Sequence, residues 1–198
     1  MSETVPNLGV DVAAIALFAT LLRLEARAGE KRLKRMSRGA ALARLRVEDV
    51  ATGAVSSVRE RRGRARVVVV AGGARGVRAA MVAAEGARCE LDALGVEVVP
   101  FIARGDEGDG DGVADEAIVA RRGWRRFAAG RDEWRAWLDS EVSALRGKMR
   151  ERAREGDVVV LIVRLDGKVG ARSVGPPLWE RLVEEVRKLP NKDQYGRP

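Results

Sequence analysis

The sequence predicts an α/β domain, a three-layer α/β/α sandwich preceded by a helix that is first hydrophobic and then basic. Three observations predict it. The valines that close Arg66–Val70 and the run Val158–Leu165 are continuous rather than alternating, as in strands buried on both faces. Segments of helical period lie between them, and strands that alternate with helices pair in parallel through right-handed crossovers, which place helices on both faces of the sheet. An Asp166-Gly167 pair then joins Val158–Leu165 to Lys168–Val174, which reads as a closing antiparallel hairpin with an edge strand.

Taken in order, the chain opens with "NLGVDVAAIALFATLL", Asn7–Leu22, apolar apart from Asn7, Asp11 and Thr20. Val5–Leu24 approaches the roughly 20 residues that a bilayer span requires. Arg23, Arg27, Lys31, Arg32, Lys34, Arg35 and Arg38 follow, opposed only by Glu25 and Glu30, so the expectation for residues 1–24 is a membrane anchor. The alternative is a helix packed on the domain. Glu3 is the only charge before Asn7, so the basic start of a secretory signal is missing.

Residues 25–65 read as a basic helix, Leu24–Val47, and a Gly/Ser/Arg linker, 52–65. The α/β domain is expected over 66–190. Its first strand leads into a helix over Arg75–Leu94, stopped by Gly95, and then a strand over Val96–Phe101. The acidic, glycine-rich stretch Arg104–Glu116 lacks the ligand order of a calcium-binding loop and reads as an insertion. Asp132 is the expected N-cap of an amphipathic helix carrying Trp134, Trp137, Leu138, Val142, Leu145 and Met149, ending near Gly156. After the hairpin, Pro176 and Pro177 open a last helix with Trp179, Leu182, Val183 and Val186 on its apolar face. Residues 191–198 form a tail.

Composition excludes several chemistries. The 198 residues contain no histidine, which removes Ser-His-Asp and Cys-His catalysis and most zinc and haem ligation. The single cysteine, Cys89, allows neither an intramolecular disulfide nor a CxxC redox pair, and its place in the helix expected over Arg75–Leu94 suggests a buried structural thiol. Lys and Arg outnumber Asp and Glu 37 to 29, for a net charge of +8. That balance suits an anionic partner: nucleic acid, a negative lipid surface or an acidic protein. The excess of Arg, Ala, Gly and Val together also fits G- and C-rich coding, and no aromatic residues interleave the arginines of 52–65 for base stacking.

The turn "AGGARGVR" is the one motif with a chemical look. It resembles the "TGGARGIG" of short-chain dehydrogenases, whose glycines let a backbone approach a pyrophosphate at a helix N-terminus. Gly72, Gly73 and Gly76 are therefore candidate nucleotide-binding residues. Arg78 stands where the closing glycine belongs, and the only tyrosine, Tyr195, has no lysine four residues on. A tight strand-to-helix turn accounts for the same glycines, and no cofactor is expected.

The element order is that of the thioredoxin-like fold, and "VVVLIVRLDGKVGARSVGPPLWERLVEEV" resembles the end of thioredoxins. Where that fold places its reactive cysteine this chain has "AGGARG", and no proline precedes the Val158 strand at the usual cis-proline position, so thiol chemistry is not expected. A wider similarity is carried by "NLGVDVAAIALFATLLRLEARAGEKRLKRMSRGAALARLRV", "RGRARVVVVAGG", "LGVEVVPF", "EWRAWLDSEV" and above all "RLDGKVGARSVGPPLWE", Arg164–Glu180. On these segments the chain resembles the C-terminal half of the low photosystem II accumulation 1 family of chloroplasts. That resemblance implies an intrinsic thylakoid protein that helps assemble photosystem II, with its soluble domain facing the stroma, and the missing catalytic groups make a non-catalytic factor the expectation. Its implied partners are photosystem II reaction-centre subunits or other assembly factors, and the thylakoid membrane. Trp124, Trp134 and Trp179 are candidate interface anchors, with Arg164 and Asp166, for which a structural ion pair is also expected.

Overall fold

The computed structural model describes residues 4–104, 126–145, 147–155 and 157–188. It divides into two units, residues 1–38 and a compact body that begins at Gly39. The body thus starts well before the boundary expected at Arg66.

A single helix, α1, spans Thr4–Arg44, so the apolar and basic stretches are one element. Its last turns belong to the body. Among the described residues no helix is long and apolar enough to cross a membrane, and the spanning reading of Val5–Leu24 gains no support there. Side chains from Leu17 to Leu24 are exposed, and Arg23, Glu25 and Arg27 bring charge to the helix where the apolar stretch ends.

The region expected as a helix end and a linker contains two short strands, β1 (Arg46–Asp49) and β2 (Val55–Ser57), then a 3-10 turn over Val58–Arg61. Asp49 closes the hairpin locally: its Oδ1 accepts the backbone N–H groups of Ala51 at 2.9 Å and Thr52 at 3.1 Å, an Asx turn. Glu60 then fastens the 3-10 turn by accepting from both the N–H and the hydroxyl of Ser57, at 2.9 and 2.7 Å.

The main sheet starts with β3 (Arg66–Gly73), followed by α2 (Ala74–Ala84), a 3-10 turn, α3 (Arg88–Ala93) and β4 (Val96–Arg104). The helix expected over 75–94 is thus two helices joined by the Glu85–Ala87 turn. Residues 105–125, which hold Asp106, Asp109, Asp111 and Trp124, lie outside the described residues. β5 (Arg126–Ala129) pairs back on β1, giving a small antiparallel sheet of order β2-β1-β5.

Gly130, not Asp132, is the N-cap of α4 (Arg131–Ala144); Asp132 and Glu133 sit in its first turn, where the helix dipole favours acids. A second helix, α5 (Gly147–Arg154), carries what the sequence reads as the continuation of that helix. Strands β6 (Val159–Val163) and β7 (Val169–Val174) and helix α6 (Trp179–Lys188) complete the chain as expected, the last helix starting two residues after its prolines. Gly167 turns the hairpin with φ +79°, a conformation open to glycine at little cost.

The main sheet has the order β4-β3-β6-β7, with β4 parallel to β3 and β6 and β7 each antiparallel to its neighbour. Side chains of period two divide the valine run between two cores. Val68 and Val70 face α2, α3 and α6, meeting Val77, Met81, Leu91, Leu182 and Val186. Val67 and Val69 face the other way, towards Leu42 of α1, Val47 of β1, Val58, and Trp134, Trp137 and Leu138 of α4.

A charged cluster ties the small sheet to the main one. Arg126 reaches the Asp49 carboxylate and, at 3.2 Å, Glu97 of β4; Arg61 approaches Glu97 at 3.6 Å. Burial alone raises the Asp49 carboxyl, but the N–H groups of Thr52 and Ala51 and the Arg126 charge outweigh it and hold it below its ordinary range. A lowered carboxyl contributes stability that is fully present above the ordinary carboxylate range and is lost as pH falls through the lowered value. The advantage of wild type over Asp49→Asn should therefore shrink as pH drops below about 4. Denaturant unfolding of the two proteins at a series of acid pH values measures it.

Candidate functional site

Two places in the body invite a functional reading: the glycine turn at the end of β3, and the surface built by β7 and the start of α6.

The turn joins the C-terminal end of β3 to the N-terminus of α2, with Gly73 as N-cap. Gly72 is explained by what lies beside it. A Cβ at this position would meet the Val158 Cα at 3.1 Å and the Asp157 carbonyl oxygen at 3.2 Å. Both are backbone atoms of the segment entering β6, so the absent side chain makes room for the neighbouring strand. The sheet also lacks the arrangement that makes a dinucleotide crevice, because β3 lies between parallel β4 and antiparallel β6 rather than within a doubly wound parallel sheet. Nothing in this geometry supports Gly72, Gly73 and Gly76 as a nucleotide site. Among the described residues, no group of three or more His, Cys, Asp or Glu side chains is placed to hold a metal ion. Gly72→Ala is expected to cost about 1–3 kcal/mol, the range for overpacking a well-filled site. A loss of thermal stability, with no heat of binding to dinucleotides or nucleoside triphosphates in either protein, is the outcome to look for by calorimetry.

Cys89 does not behave as expected. It is exposed on α3, not buried, because the buried face of that short helix is taken by Leu91.

Trp134, Trp137 and Trp179 are core residues. Trp134 is 0% exposed and its indole N–H donates to the Arg46 carbonyl at 2.8 Å. Its ring lies 5.8 Å from Phe101 and meets Trp137 edge-on at 5.6 Å. Trp179 is 5% exposed, and its N–H donates to the Ala80 carbonyl at 2.9 Å. Neither can serve as an exposed anchor: each is large, apolar and satisfied at its one polar atom by backbone. Trp124 lies outside the described residues. Arg164 and Asp166 form the expected ion pair at 2.9 Å, and the Asp166 carboxylate also accepts the Lys168 N–H at 3.0 Å, so together they shape the hairpin turn.

The surface that sequence reasoning missed lies just after them. β7 ends the sheet, so one of its edges has no partner strand among the described residues. The Gly175 N–H donates to the Val158 carbonyl at 2.7 Å, and Ser173 pairs with Val160. By the alternation of antiparallel pairing, the backbone groups of Arg172 and Val174 point away from the sheet. Beside this edge runs a groove of about 330 Å³ lined by Ala171, Ser173, Pro176, Leu178, Arg181 and Leu182, among others. Leu178 is 69% exposed and also lines a second hollow, of about 510 Å³, between α6 and the α2–α3 side. Leu178 therefore stands as an apolar ridge between two depressions. Its signal in the sequence is slight: the leucine of "GPPLWE" sits just before the helix whose apolar face is already filled by Trp179, Leu182, Val183 and Val186.

Behind the edge, Arg172 reaches through to α4. Its Nε lies 2.8 Å from Glu141 Oε2, and the Glu141 side chain is 3% exposed. That pair fixes β7 to the opposite layer and holds one wall of the edge in place.

No protein-family model matches the chain. Among solved structures, it is similar to peroxiredoxin Q of Xanthomonas campestris, with a TM-score of 0.53 at 12% identity, covering 75% of this chain and 92% of that one. The bacterioferritin comigratory protein of the same organism gives 0.52 at 12% identity, over 75% and 93% of the two chains. An uncharacterized thioredoxin-like protein from Porphyromonas gingivalis gives 0.50 at 13% identity, over 79% and 94%. The fold is thioredoxin-like, as the element order predicts. At these identities the likeness concerns the fold and carries no activity with it.

Proposed function

We propose that this chain is a non-catalytic factor that assists photosystem II assembly by protein–protein contact, at the stromal face of the chloroplast thylakoid membrane. One observation carries the non-catalytic half of this reading. In a thioredoxin-like fold the start of the helix after the first sheet strand is the reactive position, and here it reads Gly72-Gly73-Ala74-Arg75-Gly76, with Gly72 packed against the entry of β6. The only thiol, Cys89, lies on the surface of α3.

The assembly half rests on the resemblance of Arg164–Glu180 to the photosystem II assembly family. In the fold, that run forms the end of the hairpin, the free edge of β7 and the Leu178 ridge. The most family-like stretch thus coincides with an accessible surface suited to contact. An unpaired edge offers main-chain hydrogen bonds to an extended segment of a partner, and the adjoining groove offers room for its side chains.

Crosslinking followed by purification from solubilised thylakoids tests the reading. Photosystem II subunits should be recovered with the wild-type chain, and their recovery should fall about tenfold with Leu178→Asp, a loss of the size expected when an apolar contact is removed. Disulfide-reduction and peroxide-consumption assays should give the rate of buffer alone. Turnover in either assay, or recovery without photosystem II subunits, overturns the proposal.

A further inference from the structure

Arginines border β7 along its length. Arg172 stands in the middle, on the face turned to α4, with its Nε on Glu141 at 2.8 Å. Arg164 lies across Gly170, where a Cβ would meet its Cγ at 2.9 Å and its Cδ at 3.1 Å. Arg152 of α5 lies against Gly175, where a Cβ would fall on its Nη2. Two glycines thus leave the room that two of these side chains occupy, and the three arginines follow the strand over about 17 Å. An internal carboxylate steadies each: Arg152 Nε meets Asp157 at 2.7 Å and Arg164 Nη2 meets Asp166 at 2.9 Å. In Arg172 and Arg152 it is Nε that is engaged, which leaves the Nη groups as donors, and the two side chains are 38% and 51% exposed. Helix α5 carries four basic residues against one acid, Glu151, and the exposed Lys168 adds a charge at the other end of the strand, so the border keeps a positive bias.

The other face of the same edge is apolar. There Ala171 and Ser173 meet the groove lined by Ile162, Pro176, Leu178 and Leu182. The charges at its rim, Arg181 and Glu185, lie 3.5 Å apart and offset each other. We infer that the edge takes an extended partner segment in which apolar and acidic residues alternate. A strand added beside β7 pairs with the outward backbone groups of Arg172 and Val174, and its side chains continue the two faces of the sheet in turn. Every second residue then enters the groove beside Leu178, and the residues between them stand next to Arg172, where a carboxylate meets the guanidinium it complements. A second copy of this chain is a poorer occupant. Antiparallel pairing of two β7 strands about a two-fold axis keeps like faces on the same side, which sets one arginine border against another. The inference rests on the β7 edge as the contact surface of the proposed function and adds the chemistry that the partner must carry there.

Fluorescence anisotropy with the full chain and labelled synthetic peptides of about seven residues tests it. A peptide of alternating valine and glutamate should bind saturably, with a Kd below about 1 mM. Alternating valine and lysine should bind at least about tenfold more weakly, and so should a peptide with the valines and glutamates in separate blocks. N-methylation of alternate backbone amides on the edge-facing side should abolish binding, because it removes the main-chain donors. On the protein, Leu178→Asp should weaken binding of the alternating valine–glutamate peptide by about tenfold, the factor that one apolar contact supplies. Arg152→Gln, at a half-exposed position away from the core, should weaken it by up to about fivefold and flatten its salt dependence.

The peptide controls need no change to the fold, so they decide the matter even if a protein variant is unstable. Equal binding of the glutamate and lysine peptides, equal binding of the alternating and blocked peptides, or no saturable binding overturns the inference. So does concentration-dependent dimerisation of the chain that Leu178→Asp abolishes without any peptide binding, which would assign the edge to a second copy. The peptides read the chemistry of the edge alone. Their failure is therefore separable from failure to recover photosystem II subunits, which would strike the proposed function and leave the preference of the edge in place.

Discussion

Trp134→Ala is expected to lower folding stability by about 3–5 kcal/mol, the range for removing a large buried aromatic. Its ring fills the layer between α4 and the main sheet, beside Phe101 and Trp137. Truncation also leaves the Arg46 carbonyl without its indole donor. Trp134→Phe helps to separate the two contributions, because it removes the donor and the pyrrole part of the indole but keeps a six-membered aromatic ring in the layer. Denaturant unfolding should place it well above the alanine variant and roughly 1 kcal/mol or more below wild type. Equal stability of the two variants would mean that the backbone contact, not the packing, holds this layer.

Arg172→Met is expected to cost about 3–5 kcal/mol, since it leaves the buried Glu141 carboxylate without its partner. The diagnostic is rescue. Glu141→Gln placed in the Arg172→Met background should recover a large part of the loss, because a neutral amide is far cheaper to bury than a lone charge. Glu141→Gln alone should be milder than Arg172→Met, since the arginine is 38% exposed and can turn towards water. A double-mutant cycle measured by chemical denaturation gives the coupling directly. Additive effects would show that the pair contributes nothing jointly.

Long periodic elements were legible in the sequence; short ones held by distant partners were not. β3 and β6 declare themselves because a strand buried on both faces has no position for a polar side chain. The Asp166-Gly167 turn and the last helix are likewise local matters of backbone preference and period. β1, β2 and β5 have four, three and four residues and no such signature, and they exist because they pair with one another and cover the main sheet. The arginines of 52–65 disguise this region as a linker. One of them, Arg61, is instead held by Glu97, a partner more than thirty residues away.

The site followed the same division. Gly72 stands out as a glycine, but the strand that requires it lies more than eighty residues on, so spacing alone could not tell packing from phosphate binding. Trp134 and Trp179 were plausible anchors by type, and only the placement of their helices shows them filling the two cores. Leu178 is a single residue between two prolines and a tryptophan, and its prominence comes from the hollows on either side of it.

Where the body begins decides how the chain can be cut. A fragment starting at Gly39 retains Leu42, Leu45, Val47 and Val58, which roof one side of the main sheet. A fragment starting at Arg66 keeps every strand of that sheet and loses the roof, leaving half of a hydrophobic layer open to water. The first should be a usable laboratory domain and the second an aggregate, although only 27 residues separate their starting points.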